Sequence, residues 1–127
     1  MWAHGNFKIE LKGNVIHVYP VGGFNKEGID EVHTEVSIVA PNNTAWILFE
    51  HPKDLAGLTP EALDALVESY LKFQEQNCSA IALEICSTWE GVVRRALKDK
   101  LYIPLFLSDD LTYLENQIGK MPLANVD

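Results

Sequence analysis

The sequence predicts a single α/β domain on a mixed, largely parallel sheet, with the element order ββαβαβαβα. Three observations predict it. Short apolar runs of strand length alternate with amphipathic stretches of helical length along most of the chain, a pattern that implies right-handed crossovers between parallel strands. The chain opens instead on two strand-like runs separated by Gly13-Asn14, which reads as a hairpin and makes the sheet mixed. The length of 127 residues suits one domain, 1–127, and no repeat, low-complexity tract or linker divides it. Helices are expected to pack on at least one face of the sheet.

The elements follow in order. Phe7, Ile9 and Leu11 alternate with polar residues, the period of a half-exposed strand, and Val15 to Tyr19 forms its hairpin partner. Asn25 is placed to cap a helix whose apolar positions are Ile29, Val32, Val36 and Val39, ended by Pro41. Ala45 to Phe49 is a buried strand and His51 to Leu58 a polar loop. Thr59-Pro60-Glu61 opens the next helix with a cap, a proline in the first turn and an acid. Its apolar stripe is Leu63, Leu66, Val67, Tyr70 and Leu71, and Asn77 stops it. Ala80 to Ile85 is a second buried strand. Ser87 and Glu90 have capping-box spacing before a helix carrying Val92, Val93, Ala96 and Leu97. Leu101 to Leu107, interrupted by Pro104, reads as an edge strand. Ser108-Asp109-Asp110 starts a last helix with Leu111, Leu114 and Ile118 inward.

Composition narrows the function. The hydrophobic fraction of 47% is that of a folded protein. The net charge of -8 is concentrated between Asn25 and Glu75, where ten acids face three lysines. An acidic exterior repels nucleic acid and anionic membranes, so neither is an expected partner. The one net-basic stretch of the second half is Ser87 to Lys100, with Arg94, Arg95, Lys98 and Lys100. It reads as a solvated face or as a docking face for an acidic partner. Cys78 and Cys86 bracket an apolar run; in a strand they lie roughly 26 Å apart at about 3.3 Å per residue, too far for a disulfide. Free thiols, no apolar stretch of membrane-spanning length and no signal-peptide pattern at Met1 to Gly5 predict a cytoplasmic protein without membrane insertion. The glycosylation sequons at Asn42 and Asn77 carry no meaning there.

Motifs for chemistry are sparse. The sequence has no dinucleotide or phosphate-binding glycine motif, no nucleophile elbow, no zinc-protease helix and no Cys-x-x-Cys, and its four histidines lack metal-ligand spacing. No cofactor and no metal are expected. One constellation remains, because ligands of open α/β sheets sit beyond the carboxyl ends of the strands. Glu50 and His51 end one buried strand and Glu84 lies late in the next, so neighbouring strands would bring them close, and a carboxylate pair with separated pKa values does acid/base work. The plainer alternative has Glu50 solvated at a strand end and Glu84 bonded to a neighbour. Thr59, Ser87 and Thr88 stand at helix N-termini, as caps or as anion ligands. Trp46 reads as core, and Trp89, just after a loop, as core or as part of a pocket or contact surface.

The stretch AIALEICSTWEGVVRRALKDKLYIPLFLSDDL, from Ala80 to Leu111, resembles the C-terminal half of STAS domains. It runs as an apolar strand, a short loop, a helix with a basic residue before a leucine, a short strand and a Ser-acid start to the last helix. The N-terminal half fits in element order. The resemblance extends to the broader SpoIIAA-like group and implies that fold, with a non-catalytic domain that binds a protein partner. Anti-sigma factor antagonists of this kind are switched by phosphorylation in an Asp-Ser-Ser-Gly-type motif at the start of the helix after the central strand. The corresponding stretch, Lys53 to Pro60, lacks that motif; Asp54 and Gly57 remain, and Thr59 is its one hydroxyl.

Three readings follow. The first is a regulatory module docking a protein through Lys53 to Thr59 and the following helix, with Asp54, Gly57 and Thr59 as contact or switch residues. The second is a sensor or carrier of a small apolar or anionic ligand near Glu50, His51, Glu84, Ser87, Thr88 and Trp89. The third is an enzyme using Glu50, His51 and Glu84. The first is preferred, without enzymatic activity; a homodimer through a helix face is compatible with it.

Overall fold

The computed structural model describes residues 5–53 and 58–122. Five strands and four helices follow in the expected order: β1 (Asn6–Lys12), β2 (Val15–Val21), α1 (Lys26–Val39), β3 (Trp46–Glu50), α2 (Pro60–Gln74), β4 (Cys78–Glu84), α3 (Ser87–Leu97), β5 (Leu105–Ser108) and α4 (Leu111–Gly119). The sheet order is β1-β2-β3-β4-β5. β1 and β2 pair antiparallel around Gly13, whose φ of 59° is one that glycine adopts without strain. The other three pairings are parallel.

This order decides where the helices go. Each parallel step moves to the next strand in the same direction, so right-handed crossovers deliver α1, α2 and α3 to one face. There Ile16, Val18, Trp46, Leu48, Ile81 and Leu83 of the sheet form the main core with Val32, Val36, Tyr70, Phe73, Val93 and Leu97 of the helices. α4 follows the last strand and covers part of the other face. Its Leu114 and Ile118 pack on Val15, Ile47, Phe49, Ala80 and Ala82, where the two alanines let the helix come close. The β1–β2 side of that second face has no helix over it among the described residues.

Local chemistry explains most boundaries. Asn25 caps α1 by accepting from the Gly28 N–H at 2.9 Å, and Thr59 caps α2 by accepting from Ala62 at 3.1 Å. Asp110 caps α4 by accepting from Tyr113 at 3.2 Å. Asn77 ends the turn after α2 with φ of 72°, a left-handed conformation that asparagine tolerates. Trp46 is core as expected, its indole N–H donating to the Gln76 carbonyl at 2.8 Å and its ring edge-on to Phe73.

Four boundaries or faces differ from the sequence reading. Ser87 and Glu90 form no capping box: Cys86 takes the extended cap conformation, the helix starts one residue earlier than a Ser87 cap requires, and no side chain caps it. Leu101 to Pro104 is not strand. β5 pairs only from Leu105, because Pro104 has no N–H to give the ladder, although its carbonyl accepts from Ile81 at 3.0 Å. β4 begins at Cys78, two residues before Ala80. Val39 and Leu111 are surface positions at helix ends. Both cysteines are free, Cys78 buried and Cys86 exposed.

Candidate functional site

The carboxyl ends of β2, β3 and β4 carry two distinct polar clusters, one on each face. Successive side chains of a strand point to opposite faces, so Glu50 and His51 diverge. Glu50 pairs in register with Val18 and Leu83 and turns toward the helices, whereas Phe49 pairs with His17 and Ala82 on the far face, where His51 and Glu84 also lie. The expected grouping of Glu50 with Glu84 is therefore corrected: the pleat separates the two carboxylates, and the sheet stands between them.

On the far face, Glu84, His51 and His17 form a hydrogen-bonded chain. Glu84 Oε1 lies 2.9 Å from His51 Nδ1, and His51 Nε2 lies 3.0 Å from His17 Nδ1. A carboxylate only accepts, so His51 Nδ1 carries a proton and donates to Glu84. Between the two imidazoles one ring nitrogen donates and the other accepts, according to tautomer. The rings stack: His51 lies 4.1 Å from Phe49 and 4.8 Å from Tyr19, and His17 lies 5.4 Å from Phe49. Burial, then the His51 charge, pushes His17 down to about 4, so it is neutral at pH 7. Lys8, Tyr19 and Lys53 border the shallow groove beside the chain. Chemically, the chain orients and holds a proton. Sequence reasoning named His51 and Glu84 but missed His17; the signal available was that His17 sits in β2, in step with His51 if the strands are neighbours.

On the helix face, Glu50 is 8% exposed. The Tyr70 hydroxyl donates to its Oε1. Burial pushes the Glu50 carboxyl up, and the Tyr70 bond pulls it partly back. Burial also raises Tyr70 itself. Both residues line a cavity of about 70 Å³ between α1, α2 and the sheet. Its other walls are mainly apolar, among them Phe24, Val36, Leu48, Leu66 and Phe73. Pro52 and Leu58, partly exposed, also line it.

The remaining candidates are dispersed. Thr59 is exposed, and its hydroxyl oxygen is the α2 cap. Asp54 and Gly57 lie outside the described residues. Ser87 and Thr88 are exposed in the first turn of α3, and Trp89 packs partly buried against the main core. A further groove lies at the β5 edge. Arg94, Arg95 and Lys98 stand over Leu101, Ile103 and Leu105 there, beside Tyr102, which is 85% exposed. Among the described residues, no group of three histidine, cysteine or acidic side chains is placed to hold a metal ion. No helix among them is long and apolar enough to cross a membrane.

Comparison with known proteins gives the architecture a name. No family model and no curated protein matches the chain. Among solved structures, an uncharacterised DUF3478-family protein with a SpoIIAA-like fold from Shewanella loihica PV-4 superposes with a TM-score of 0.63 at 16% identity, covering 92% of this chain and 95% of that one. The chain has the SpoIIAA-like fold. An anti-sigma factor antagonist from Mycobacterium paratuberculosis shares it, with a TM-score of 0.61 at 14% identity and coverage of 90% and 93%. In this SpoIIAA-like domain the Glu50 cavity and the Glu84–His51–His17 chain lie at the same end of the sheet on opposite faces, and the basic groove runs along the β5 edge.

Proposed function

We propose that the protein is a non-catalytic regulatory module that captures an acidic, partly apolar segment of a protein partner along the α3–β5 edge. The observation that carries this reading is the groove at that edge. Its floor is Leu101, Ile103 and Leu105, and its wall is the cationic face of α3. Arg94 lies only 3.9 Å from Glu90, a loose exposed pair. Among the described residues Arg95 and Lys98 have no ion-pair partner.

Backbone groups add to the surface. The Pro104 and Ser108 carbonyls point to β4, accepting from Ile81 and Ile85. By the alternation of a parallel ladder, the N–H and C=O groups of Leu105 and Leu107 face the free edge. An extended segment can add there as a strand, with its alternate residues on the apolar floor and its acids against Arg94, Arg95 and Lys98. The shared fold with an anti-sigma factor antagonist supports a docking role. The reading needs no phosphorylation switch: the Asp-Ser-Ser-Gly motif is missing, and Thr59 is engaged as a helix cap.

The test is fluorescence anisotropy with labelled extended peptides that alternate glutamate or lysine with valine. The glutamate peptide is expected to bind, more weakly as salt rises, and the lysine peptide is not. The double reversal R94E/R95E is expected to abolish binding. Equal binding of both peptides, or an unchanged affinity in the double reversal, defeats the proposal. A concentration-dependent dimer that the same reversal abolishes identifies the acidic helices of a second copy as the occupant.

A further inference from the structure

The cavity above Glu50 is a separate feature from the β5 edge. Its walls are aliphatic and aromatic, and one carboxyl group, nearly fully buried, stands among them. Ligand sites have this composition: a mostly apolar surface with few, convergent polar groups. They also occur here, beyond the carboxyl ends of parallel strands. The 70 Å³ volume is about half that of an engineered 150 Å³ cavity that admits benzene, so it encloses a short alkyl group.

The sign of the ligand's charge follows from the surroundings. α1 and α2, the helices over the cavity, belong to the segment from Asn25 to Glu75, in which ten acids face three lysines. That field attracts cations and repels anions. An anionic ligand would also meet Glu50 at close range in an apolar site, where like charges repel most. A cation entering with an apolar body supplies the counter-charge that a buried carboxylate otherwise lacks. The rings of Phe24, Tyr70 and Phe73, also in the lining, favour an ammonium group over a neutral one.

We infer that the cavity between α1, α2 and the sheet is a binding site for a small apolar amine, with Glu50, held by Tyr70, as the residue that pairs with its ammonium group. The anionic class considered from the sequence is set aside for this site.

Three probes with one carbon skeleton test it: n-butylamine, n-butanol and butyrate, titrated at neutral pH and followed by methyl NMR. Butylamine is expected to shift the methyl signals of Val36, Leu48 and Leu66 while leaving Leu114, on the opposite face, unmoved. It is expected to bind about tenfold tighter than butanol, because its ammonium brings the Glu50 carboxylate an opposite charge that the hydroxyl lacks. Butyrate is not expected to bind. Glu50→Gln is expected to lower butylamine affinity by about tenfold, to near that of butanol. Butanol matching butylamine, butyrate binding, or no probe moving those methyls overturns the inference on the wild-type protein alone, so the result does not depend on the variant's folding. Neither outcome bears on peptide capture at the β5 edge.

Discussion

Replacing Glu50 by glutamine changes one atom in the core and turns a pH-dependent group into a neutral one. The amide oxygen of glutamine can still accept from the Tyr70 hydroxyl, so packing and the hydrogen bond are kept. What changes is the linkage between folding and protons. Burial raises the folded carboxyl above its ordinary value, so between the two the folded state holds more proton than the unfolded state. The stability this group contributes is fully present below the unfolded value of about 4.5 and is lost as pH rises through the folded value. One proton is involved, so the slope within the window approaches about 1.4 kcal/mol per pH unit. For a domain of this size each kcal/mol moves the melting temperature by about 3–5 °C.

Glu50→Gln is therefore expected to match the wild type near pH 4 and to become progressively more stable than it above pH 4.5, until the difference levels off. The assay is urea unfolding by circular dichroism across pH 4–9, read as the difference between variant and wild type. The difference isolates Glu50, because His17 contributes alike to both proteins. His17 works in the opposite sense: its folded value of about 4 lies below the ordinary 6.5, so stability falls as pH drops from 6.5 to 4. A difference curve that is flat, or that falls with rising pH, refutes the argument that Glu50 is a desolvated carboxyl.

Three further outcomes are expected. Tyr70→Phe leaves the buried Glu50 oxygen without its donor and costs about 1–3 kcal/mol in urea unfolding; a loss within a few tenths would mean that Glu50 finds another partner. Thr59→Ala removes the α2 cap and costs about 1 kcal/mol; an unchanged unfolding midpoint would assign the start of α2 to Pro60 and Glu61 alone. His51→Ala exposes His17 and removes the neighbouring charge, so the NMR titration midpoint of the His17 ring moves up from about 4 toward 6.5; an unmoved midpoint would break the assigned chain.

The sequence by itself determined the element order, the caps at Asn25 and Thr59, the burial of Trp46 and the edge position of the last strand. These are local properties: hydrophobic period, cap chemistry and proline's missing N–H act within a few residues of where they are read. The sequence reading grouped Glu50 with His51 and Glu84, and the pleat overturned it, since adjacent residues of one strand face opposite ways. Tertiary structure decided the rest. That Glu84 reaches His51 and His51 reaches His17 depends on the register of three strands far apart in the chain. That Glu50 meets Tyr70 depends on how α2 lies across the sheet. Even the start of α3 shifted by one residue, from Ser87 to Cys86 as cap. Polar clusters of this kind form where distant segments cross, and the one-dimensional pattern records each segment's period but not its alignment with the others.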